Sequence, residues 1–353
     1  MLRHALALAP EHPGAINNLG MVWSDVGNID SAIACFEHAC ALEPDNPQFH
    51  CNVAMTRLRC GEFNAGWPRY EWRLSLNGIA PRRFAQPRWR GEPLHGRRIF
   101  LHTEQGFGDM IQFLRYVPGV VERGGRVILE TRSELFPLVL NYSGVEQIVC
   151  MGDAPGDFDL YCPLLSVPAV LGTTLENLPS AVPYLTAPAA SAAIWHQRLG
   201  GPTNLLRVGL AWRGRPQPRG RSIPINIFAP LALPGRVIFY SLQIEPLSPT
   251  DSLPNGLDLT DLSSNITDFA ELAGIITQMD LVISIDTAVA HLAGAMGKPV
   301  WVLLPKPADW RWLLDRTDSP WYPSMRLFRQ QVRGQWGPVL QSVAVALKQQ
   351  VQH

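Results

Sequence analysis

The sequence predicts an α/β protein in which a short helical segment precedes two doubly wound lobes that face each other. Three observations predict this class. Residues 2–48 contain an internal repeat, and from about residue 97 onwards apolar strand-like runs alternate with amphipathic helical patterns. The alternation is interrupted by a Pro- and Ala-rich stretch, 179–193, and then starts again. Because β-α-β order implies a parallel sheet covered by helices, two such series imply two sheets.

The composition is that of a globular chain without a general affinity for nucleic acid or membranes. Of the 353 residues 46% are hydrophobic, and 30 basic side chains balance 30 acidic ones, so no basic field favours a nucleic-acid partner. No apolar run approaches the roughly 20 residues that cross a bilayer. The six cysteines form no Cys-x-x-Cys pair, which favours reduced thiols and a cytoplasmic location over disulfides or zinc ligands.

The helical segment is predicted from the repeat. Residues 4–14 align with 38–48 at an offset of 34, with matching His, Leu and Pro positions, and two amphipathic patterns lie between them. This period and its Leu-Gly pair are typical of the tetratricopeptide repeat. We expect the segment over 1–65, starting in mid-repeat. Since so few repeats cannot bury their faces alone, it should pack on the next domain or follow further repeats in the natural protein.

A connector rich in Pro, Trp and Arg is expected over 66–96, the first lobe over 97–190 and the second over 191–353. In the first lobe, "RIFLH" predicts a strand and the helix after it opens at Asp109. In the second, "LVISID" predicts a strand and "TAVAHLAGAMG" the next helix. Ligands of open α/β sheets bind at the carboxyl ends of strands, so these turns are the candidate functional sites.

The turn at Asp286 indicates a phosphate site. Asp286 ends a strand, and Thr287 and Ala288 open a helix whose first amides have no partner within the helix. Such amides, together with the helix dipole, bind phosphate. His291 lies one turn further along the same face, where it could donate to a phosphate oxygen or a sugar hydroxyl. The alternative is a helix cap at Asp286 and a core histidine at His291, and this motif by itself favours neither.

The segment "DTAVAHLAGAMGKPV" is similar to the donor-binding segment of the bacterial heptosyltransferase family, whose members have the glycosyltransferase B fold. With "GWPRYEWR", "EQGFGDMIQFLRYVP", "FDLYCPLLSVP", "RSIP" and "FYSLQ" in the same order, the chain resembles bacterial tetratricopeptide-repeat proteins that carry a heptosyltransferase-like glycosyltransferase. The resemblance covers roughly residues 15–345. It implies two facing Rossmann-like lobes and a nucleotide-sugar donor as substrate, without a cofactor.

The resemblance also implies a role for the glycine-aspartate loop. In the family the aspartate of this loop is the proposed base that deprotonates the acceptor hydroxyl, and Asp109 matches it. Gln105, Gly106 and Gly108 complete the loop on the acceptor side of the cleft, and Gln112 stands where the family often has a histidine. An inverting transfer needs a carboxylate beside the acceptor oxygen. A helix cap at Asp109 is the alternative, and the two roles are compatible.

The resemblance further implies that the donor phosphates meet the loop after the first strand of the second lobe, at Trp212 and Arg213. The family's lysine is absent from this loop. We expect Arg213, Arg215, Arg219 or Arg221 to replace it, the alternative being a solvated basic loop. Nothing in the sequence chooses among them.

Further donor contacts are expected at strand ends. Lys306 could supply charge to the diphosphate. Ser222 is expected either to contact a phosphate or to cap a helix. Gln243 is expected either to bind the base or ribose of the nucleotide or to hydrogen-bond the backbone. The Trp-rich stretch 307–323 is expected either over the donor pocket or as a rigid packing patch. The Asp-x-Asp pair in 157–159 precedes a strand of the first lobe, so we expect no metal site there.

Together with these patterns, the resemblance implies a metal-independent, inverting glycosyltransferase. Because repeat solenoids bind peptides and proteins, a protein acceptor such as flagellin or another surface protein is expected. Two alternatives stay open. One is a repeat scaffold whose lobes no longer catalyse, suggested by the replaced histidine and the missing lysine; the other is a heptosyltransferase-like enzyme acting on lipopolysaccharide. The base and sugar of the donor do not follow from the sequence.

Overall fold

A computed structural model describes residues 6–76, 82–201, 203–215, 220–248 and 251–352. These residues form two compact units. The first unit comprises the residues up to Gly91, Ser166–Leu178 and Pro307–Arg316. The second unit comprises Glu92–Leu165, Pro179–Lys306 and the residues from Thr317 onwards. His4, one of the repeat matches, lies outside the described residues.

The first unit is helical. Its main helices are α1 (Pro13–Val26), α2 (Ile29–Leu42), α3 (Pro47–Arg59) and α4 (Phe63–Tyr70). Proline in the first turn starts α1 and α3, where its missing N–H costs no hydrogen bond, and the side chains of Asn28 and Asn46 cap α2 and α3. The short links leave consecutive helices packed against each other.

The Leu-Gly pair of the repeat motif has a packing reason. A Cβ atom on Gly20 of α1 would lie 2.7 Å from the ring of Phe36 on α2, closer than atoms can pack. Phe36 is 2% exposed and belongs to a small core with Ile16, Ala39 and Phe49. Glycine at position 20 therefore lets α1 lie close to α2 and cover this core.

The Trp-rich segment Pro307–Arg316 lies in the first unit. The ring of Trp310 packs edge-on against Trp67 at 5.5 Å and against Tyr70 at 5.9 Å, and it is 3% exposed. The indole N–H of Trp67 donates to the backbone oxygen of Thr173 at 2.8 Å. This bond connects the segment Ser166–Leu178 to helix α4. The burial of Trp310 and Arg311 favours the packing interpretation of this stretch over stacking on a donor base.

The second unit contains two parallel sheets. The first has the order β3-β2-β1-β4, with the strands β1 (Arg98–His102), β2 (Arg126–Thr131), β3 (Val145–Cys150) and β4 (Leu160–Pro163). Helix α5 (Phe107–Phe113) follows β1, and the short helices Val117–Val121 and Phe136–Val139 complete the first lobe. The helix predicted to open at Asp109 thus begins at Phe107.

The second sheet has the order β10-β9-β8-β5-β6-β7. Its strands are β5 (Leu206–Ala211), β6 (Val237–Ser241), β7 (Leu259–Asp261), β8 (Leu281–Ile285), β9 (Val300–Leu304) and β10 (Met325–Arg329). The helices of this second lobe are α6 (Ala189–Leu199), α7 (Phe269–Thr277), α8 (Ala288–Ala295) and α9 (Gly337–Gln350). The chain order reverses between β5 and β8, so the carboxyl ends of these two strands border the crevice in which open α/β sheets bind ligands.

Within the part of the chain that the structure describes, no helix is long and apolar enough to cross a membrane.

Candidate active site

The strand-to-helix turns of the two lobes meet at the starts of α5 and α8. In the first lobe, β1 leads through 103–106 into α5; in the second, β8 leads through 286–287 into α8. A Cβ atom on Gly108 would lie 2.9 Å from Cδ2 of His291 and 3.5 Å from Cα of Ala288. This leaves no room for a side chain, so glycine permits the two helices to begin side by side.

Asp109 lies in the first turn of α5 and is partly exposed. Its Oδ2 accepts the backbone N–H of Gly106 at 2.8 Å, which is the helix cap foreseen as the alternative to a catalytic base. A carboxylate has about four acceptor positions, so this bond is compatible with proton transfer. The backbone oxygen of Gln105, in the same loop, accepts from Arg132 at 3.1 Å.

Gln112 departs from its predicted place on the cleft loop. Its side chain is 0% exposed, like those of Met110, Ile111 and Phe113 around it. From residue 110 onwards α5 enters the interior of the first lobe, which removes Gln112 from the cleft. The residue that stands in place of the family's histidine is therefore a buried side chain of this lobe.

The start of α8 is accompanied by one arginine of the predicted basic loop. Arg221 donates from Nη1 to the backbone oxygen of Asp286 at 3.2 Å and from Nε to that of Arg215 at 3.4 Å. A Cβ atom on Gly214 would lie 3.0 Å from Nε of Arg221 and 3.1 Å from Cγ2 of Thr287. The loop after β5 therefore closes directly over the first residues of α8, and Arg221 is the arginine at that helix end.

The other candidate arginines have different surroundings. Arg213 forms an ion pair with Asp251 at 3.2 Å and donates to the backbone oxygen of Pro246 at 3.0 Å, so its guanidinium is directed to the loop after β6. The guanidinium of Arg215 lies 5.9 Å from the ring of Phe107, the first residue of α5. Arg219 lies outside the described residues.

A second basic group approaches Phe107 from the first lobe. The guanidinium of Arg132, which follows β2, lies 5.2 Å from the ring centre, and Phe269 of α7 packs on the same ring at 4.9 Å. Phe107 is thus flanked by Arg132 of one lobe and Arg215 of the other. With Arg221 at the start of α8, three guanidinium groups lie around the point where the lobes meet.

The side chain of Gln243 forms hydrogen bonds with the backbone of its own lobe rather than serving a ligand. Its Oε1 accepts the N–H groups of Trp212 at 2.7 Å and Arg213 at 2.8 Å, which is the backbone alternative that the sequence left open. Trp212 is 1% exposed and belongs to the core of the second lobe, so its indole does not face the donor as expected. Ser222 accepts the N–H of Gly214 at 3.1 Å and so shapes the loop over α8.

Lys306 lies at the same edge of the second sheet, after β9. Its side chain is exposed, and Nζ donates to the backbone oxygen of Gln331 at 3.0 Å. Its backbone N–H donates to Oε1 of Gln330 at 3.2 Å. The structure therefore ties the ammonium group of Lys306 to the loop that follows β10.

The Asp-x-Asp pair lies at the amino ends of the strands of the first sheet. Oδ2 of Asp159 accepts the backbone N–H of Arg98 at 2.7 Å, where β1 begins. The glycine-aspartate loop follows the opposite end of β1. Among the described residues, no group of three or more His, Cys, Asp or Glu side chains is arranged to hold a metal ion.

His291 is 4% exposed and has polar groups on both sides of its ring. Nδ1 lies 2.9 Å from the hydroxyl of Tyr322, and Nε2 lies 3.9 Å from the carboxylate of Asp286. The Tyr322 hydroxyl lies 3.4 Å from that of Tyr184, which accepts from Arg115 at 3.1 Å. Burial raises the pKa of Tyr322 well above its ordinary value, so this phenol keeps its proton.

Residues 251–304 match the model of glycosyltransferase family 9 (heptosyltransferase). The matched stretch contains α7, β8, α8 and β9, and thus both Asp286 and His291. The crystal structure of the glycosyl transferase family 9 from Veillonella parvula DSM 2008 covers 74% of this chain and 99% of its own, with a TM-score of 0.54 at 11% identity, which shows a shared fold. The chain carries a glycosyltransferase domain. The predicted α/β fold with parallel sheets is confirmed.

Protein FlbA from Caulobacter vibrioides is similar over almost the whole chain. It is 29% identical over 386 residues, which cover 98% of this chain. The chain spans 63% of the length of that relative. The similarity therefore includes the helical segment as well as the glycosyltransferase domain.

Arg115, Tyr184 and Tyr322 were not identified from the sequence. Arg115 stands in an apolar helical pattern, which offers no sign that its guanidinium lies inside the molecule, 4.4 Å from the Tyr322 ring. The two tyrosines lie in Pro-rich loops without periodicity, 138 residues apart. The partners that a buried cation requires come here from elsewhere in the chain, where no local pattern points to them.

Replacing Gln243 with methionine is expected to lower the free energy of unfolding by about 1–3 kcal/mol, because the buried N–H group of Trp212 loses its acceptor and an unsatisfied buried N–H group costs about that much. Chemical denaturation measures the change. Gln341→Met, the same exchange on the exposed face of α9, is the matched control and should leave the stability unchanged. Equal stabilities of the two variants would contradict the assigned role of Gln243.

Proposed function

We propose that the chain is a metal-independent, inverting glycosyltransferase that moves a sugar from a nucleotide-activated donor to a hydroxyl of a protein acceptor. The observation that carries this proposal is the meeting of two helix starts, one with a carboxylate and the other with backbone amides and a guanidinium. Asp109 belongs to the first and Arg221 accompanies the second. The match to glycosyltransferase family 9 includes the second.

The donor diphosphate binds at the start of α8. The amides of its first turn have no partner within the helix, and the helix dipole adds positive potential. Thr287, the residue before the helix, makes no side-chain cap to these amides. Arg221 is fixed beside them by the backbone oxygen of Asp286 at 3.2 Å. These groups stabilise the negative charge that develops on the leaving diphosphate, the task that a metal ion performs in other transferases.

Asp109 acts as the base. The acceptor hydroxyl loses its proton to the carboxylate while its oxygen forms a bond to the anomeric carbon. The bond from that carbon to the donor phosphate breaks, and its electron pair leaves with the phosphate. Because attack and departure occur on opposite sides of the carbon, the configuration is inverted. Asp109 and the start of α8 belong to different lobes, as this geometry requires.

The helices α1–α4 supply the acceptor preference. We regard them as a tetratricopeptide-repeat segment, on the basis of the repeat of 34 residues and the packed helix pairs. Such segments bind extended peptides, so a surface protein such as flagellin is the expected acceptor class. Incubating the chain and a nucleotide sugar with protein acceptors and, separately, with lipopolysaccharide tests this. Transfer to lipopolysaccharide without any transfer to protein would contradict the protein-acceptor proposal.

Arg221→Gln is expected to weaken nucleotide binding by roughly 10–100-fold, because a hydrogen bond to a charged group contributes about 1.5–3 kcal/mol. Calorimetric titration with UDP, GDP, ADP and CMP, in the presence of EDTA, measures the affinity and identifies the base. The matched control is Arg236→Gln, an exposed arginine before β6 at the other end of the sheet. Equal affinities of the two variants would remove Arg221 from the donor site, and binding that EDTA abolishes would contradict metal independence.

A further inference from the structure

In the buried cluster beside His291, the distances indicate which group donates and which accepts each hydrogen bond. Arg115 can only donate. It donates to the hydroxyl of Tyr184 at 3.1 Å. Its guanidinium lies 4.8 Å and 4.4 Å from the rings of these two tyrosines. The phenol oxygen of Tyr184 therefore accepts from the buried cation, and the proton of Tyr184 has to go elsewhere.

The acceptors of the two protons are distinguishable by distance. The hydroxyl of Tyr184 lies 3.0 Å from the backbone oxygen of Ile111, which can only accept. For the proton of Tyr322 two acceptors are near: Nδ1 of His291 at 2.9 Å and the hydroxyl of Tyr184 at 3.4 Å. The shorter contact is well within hydrogen-bond range and the longer one is marginal. The proton of Tyr322 accordingly lies on the bond to His291.

The opposite arrangement is less favourable. If Nδ1 carried the proton, the oxygen of Tyr322 would accept from His291. Its own proton would then be left with the contact of 3.4 Å to Tyr184, whose oxygen already accepts from Arg115. This arrangement leaves a weaker set of bonds.

We propose that Tyr322, whose ring packs against the Arg115 guanidinium, is a positioning residue that donates to Nδ1 of His291 and so keeps the proton of the neutral imidazole on Nε2. Nε2 is the nitrogen on the side of Asp286, 3.9 Å from its carboxylate. His291 then presents an N–H group at the start of α8. A neutral imidazole donates a hydrogen bond there without adding charge to the cluster.

The ligand of this N–H group is the nucleotide-activated donor, and this part of the inference rests on the proposed function. His291 is on the first turn of α8, whose amides bind the donor phosphates in that proposal. Gly108 covers the neighbouring edge of the imidazole, since a Cβ there would lie 2.9 Å from Cδ2. The ring is therefore held from one side by Tyr322 and from another by α5, which fixes the direction of Nε2–H.

The test is long-range ¹H–¹⁵N spectroscopy of protein labelled with [¹⁵N]histidine, with the His291 signals assigned by their loss in His291→Gln. In the wild-type protein Nδ1 should be unprotonated and Nε2 protonated. In Tyr322→Phe the two tautomers should mix, and the Kd of the nucleotide should rise roughly 3–10-fold, the value of one neutral hydrogen bond. A wild-type His291 protonated on Nδ1 overturns the proposal, whether or not the variant folds.

Tyr142→Phe is the matched control. It removes a partly buried phenol hydroxyl that donates to the backbone oxygen of Leu114 at 3.1 Å and does not contact His291. A general loosening of the lobe would change the imidazole signals in both variants, whereas the assigned role changes them in Tyr322→Phe alone. The tautomer is measured without nucleotide. A wild-type protein with the expected tautomer that binds no nucleotide would therefore contradict the donor site and leave the role of Tyr322 in place.

Discussion

Replacing Asp109 with asparagine is expected to reduce sugar transfer by roughly 10²–10⁴-fold while nucleotide binding is unchanged, because a positioned general base contributes about that factor to the rate. Asparagine keeps a side-chain oxygen that can accept the N–H of Gly106, now 2.8 Å from the carboxylate, so the start of α5 is preserved. An amide cannot take the proton of the acceptor hydroxyl. Transfer is followed by the intact mass of the acceptor protein, and nucleotide affinity by calorimetry.

Asp258→Asn is the control for this exchange, since Asp258 is exposed and precedes β7 at the other end of the second sheet. It should transfer sugar at the wild-type rate. If Asp109→Asn transferred sugar at the wild-type rate, Asp109 would be only a helix cap and another residue would be the base. Loss of both transfer and nucleotide binding would show instead that the substitution disturbs the site as a whole.

Replacing Gly108 with alanine is expected to weaken nucleotide binding and transfer together, by roughly 10–100-fold. The added methyl group would lie 2.9 Å from Cδ2 of His291 and 3.5 Å from Cα of Ala288, so α5 and α8 cannot stay as close. Overpacking of this kind costs about 1–3 kcal/mol. The gain in helix propensity, about 1 kcal/mol, stabilises the fold but does not restore the spacing of α5 and α8.

The matched control for this steric effect is Gly337→Ala in the first turn of α9. A Cβ atom there meets no atom within 4 Å, and the backbone is not left-handed, so the variant should keep wild-type binding and transfer. If Gly108→Ala also bound nucleotide like the wild-type protein, the close approach of α5 and α8 would not be part of the donor site.

The strand-to-helix turns could be predicted from the sequence because they are local. The apolar runs before Asp109 and Asp286 end where a helical pattern starts, and that pattern placed both residues at carboxyl ends of strands. The same reasoning failed for Gln112, because the apolar residues around it do not tell whether the helix also buries its polar position 112. Its burial at 0% depends on the packing of the whole lobe.

Contacts between segments that are distant along the chain could not be predicted from the sequence. Gln243 and the N–H groups of Trp212 and Arg213 are about thirty residues apart and come together through the pairing of β5 with β6. The hydroxyl of Tyr322 reaches His291 across 31 residues and that of Tyr184 across 138. No periodicity records such contacts. Among the candidate arginines, only the folded loop distinguishes Arg221 from Arg213, which is paired with Asp251.

The central claim is that the starts of α5 and α8 form one transfer site. Its most direct test is a crystal structure of the chain with the nucleoside diphosphate that binds best in the titration panel. The expected result is a diphosphate within hydrogen-bond distance of the amides at the start of α8 and of the Arg221 guanidinium, with Asp109 facing the same space. A nucleotide bound elsewhere, with the start of α8 unoccupied, would contradict the claim.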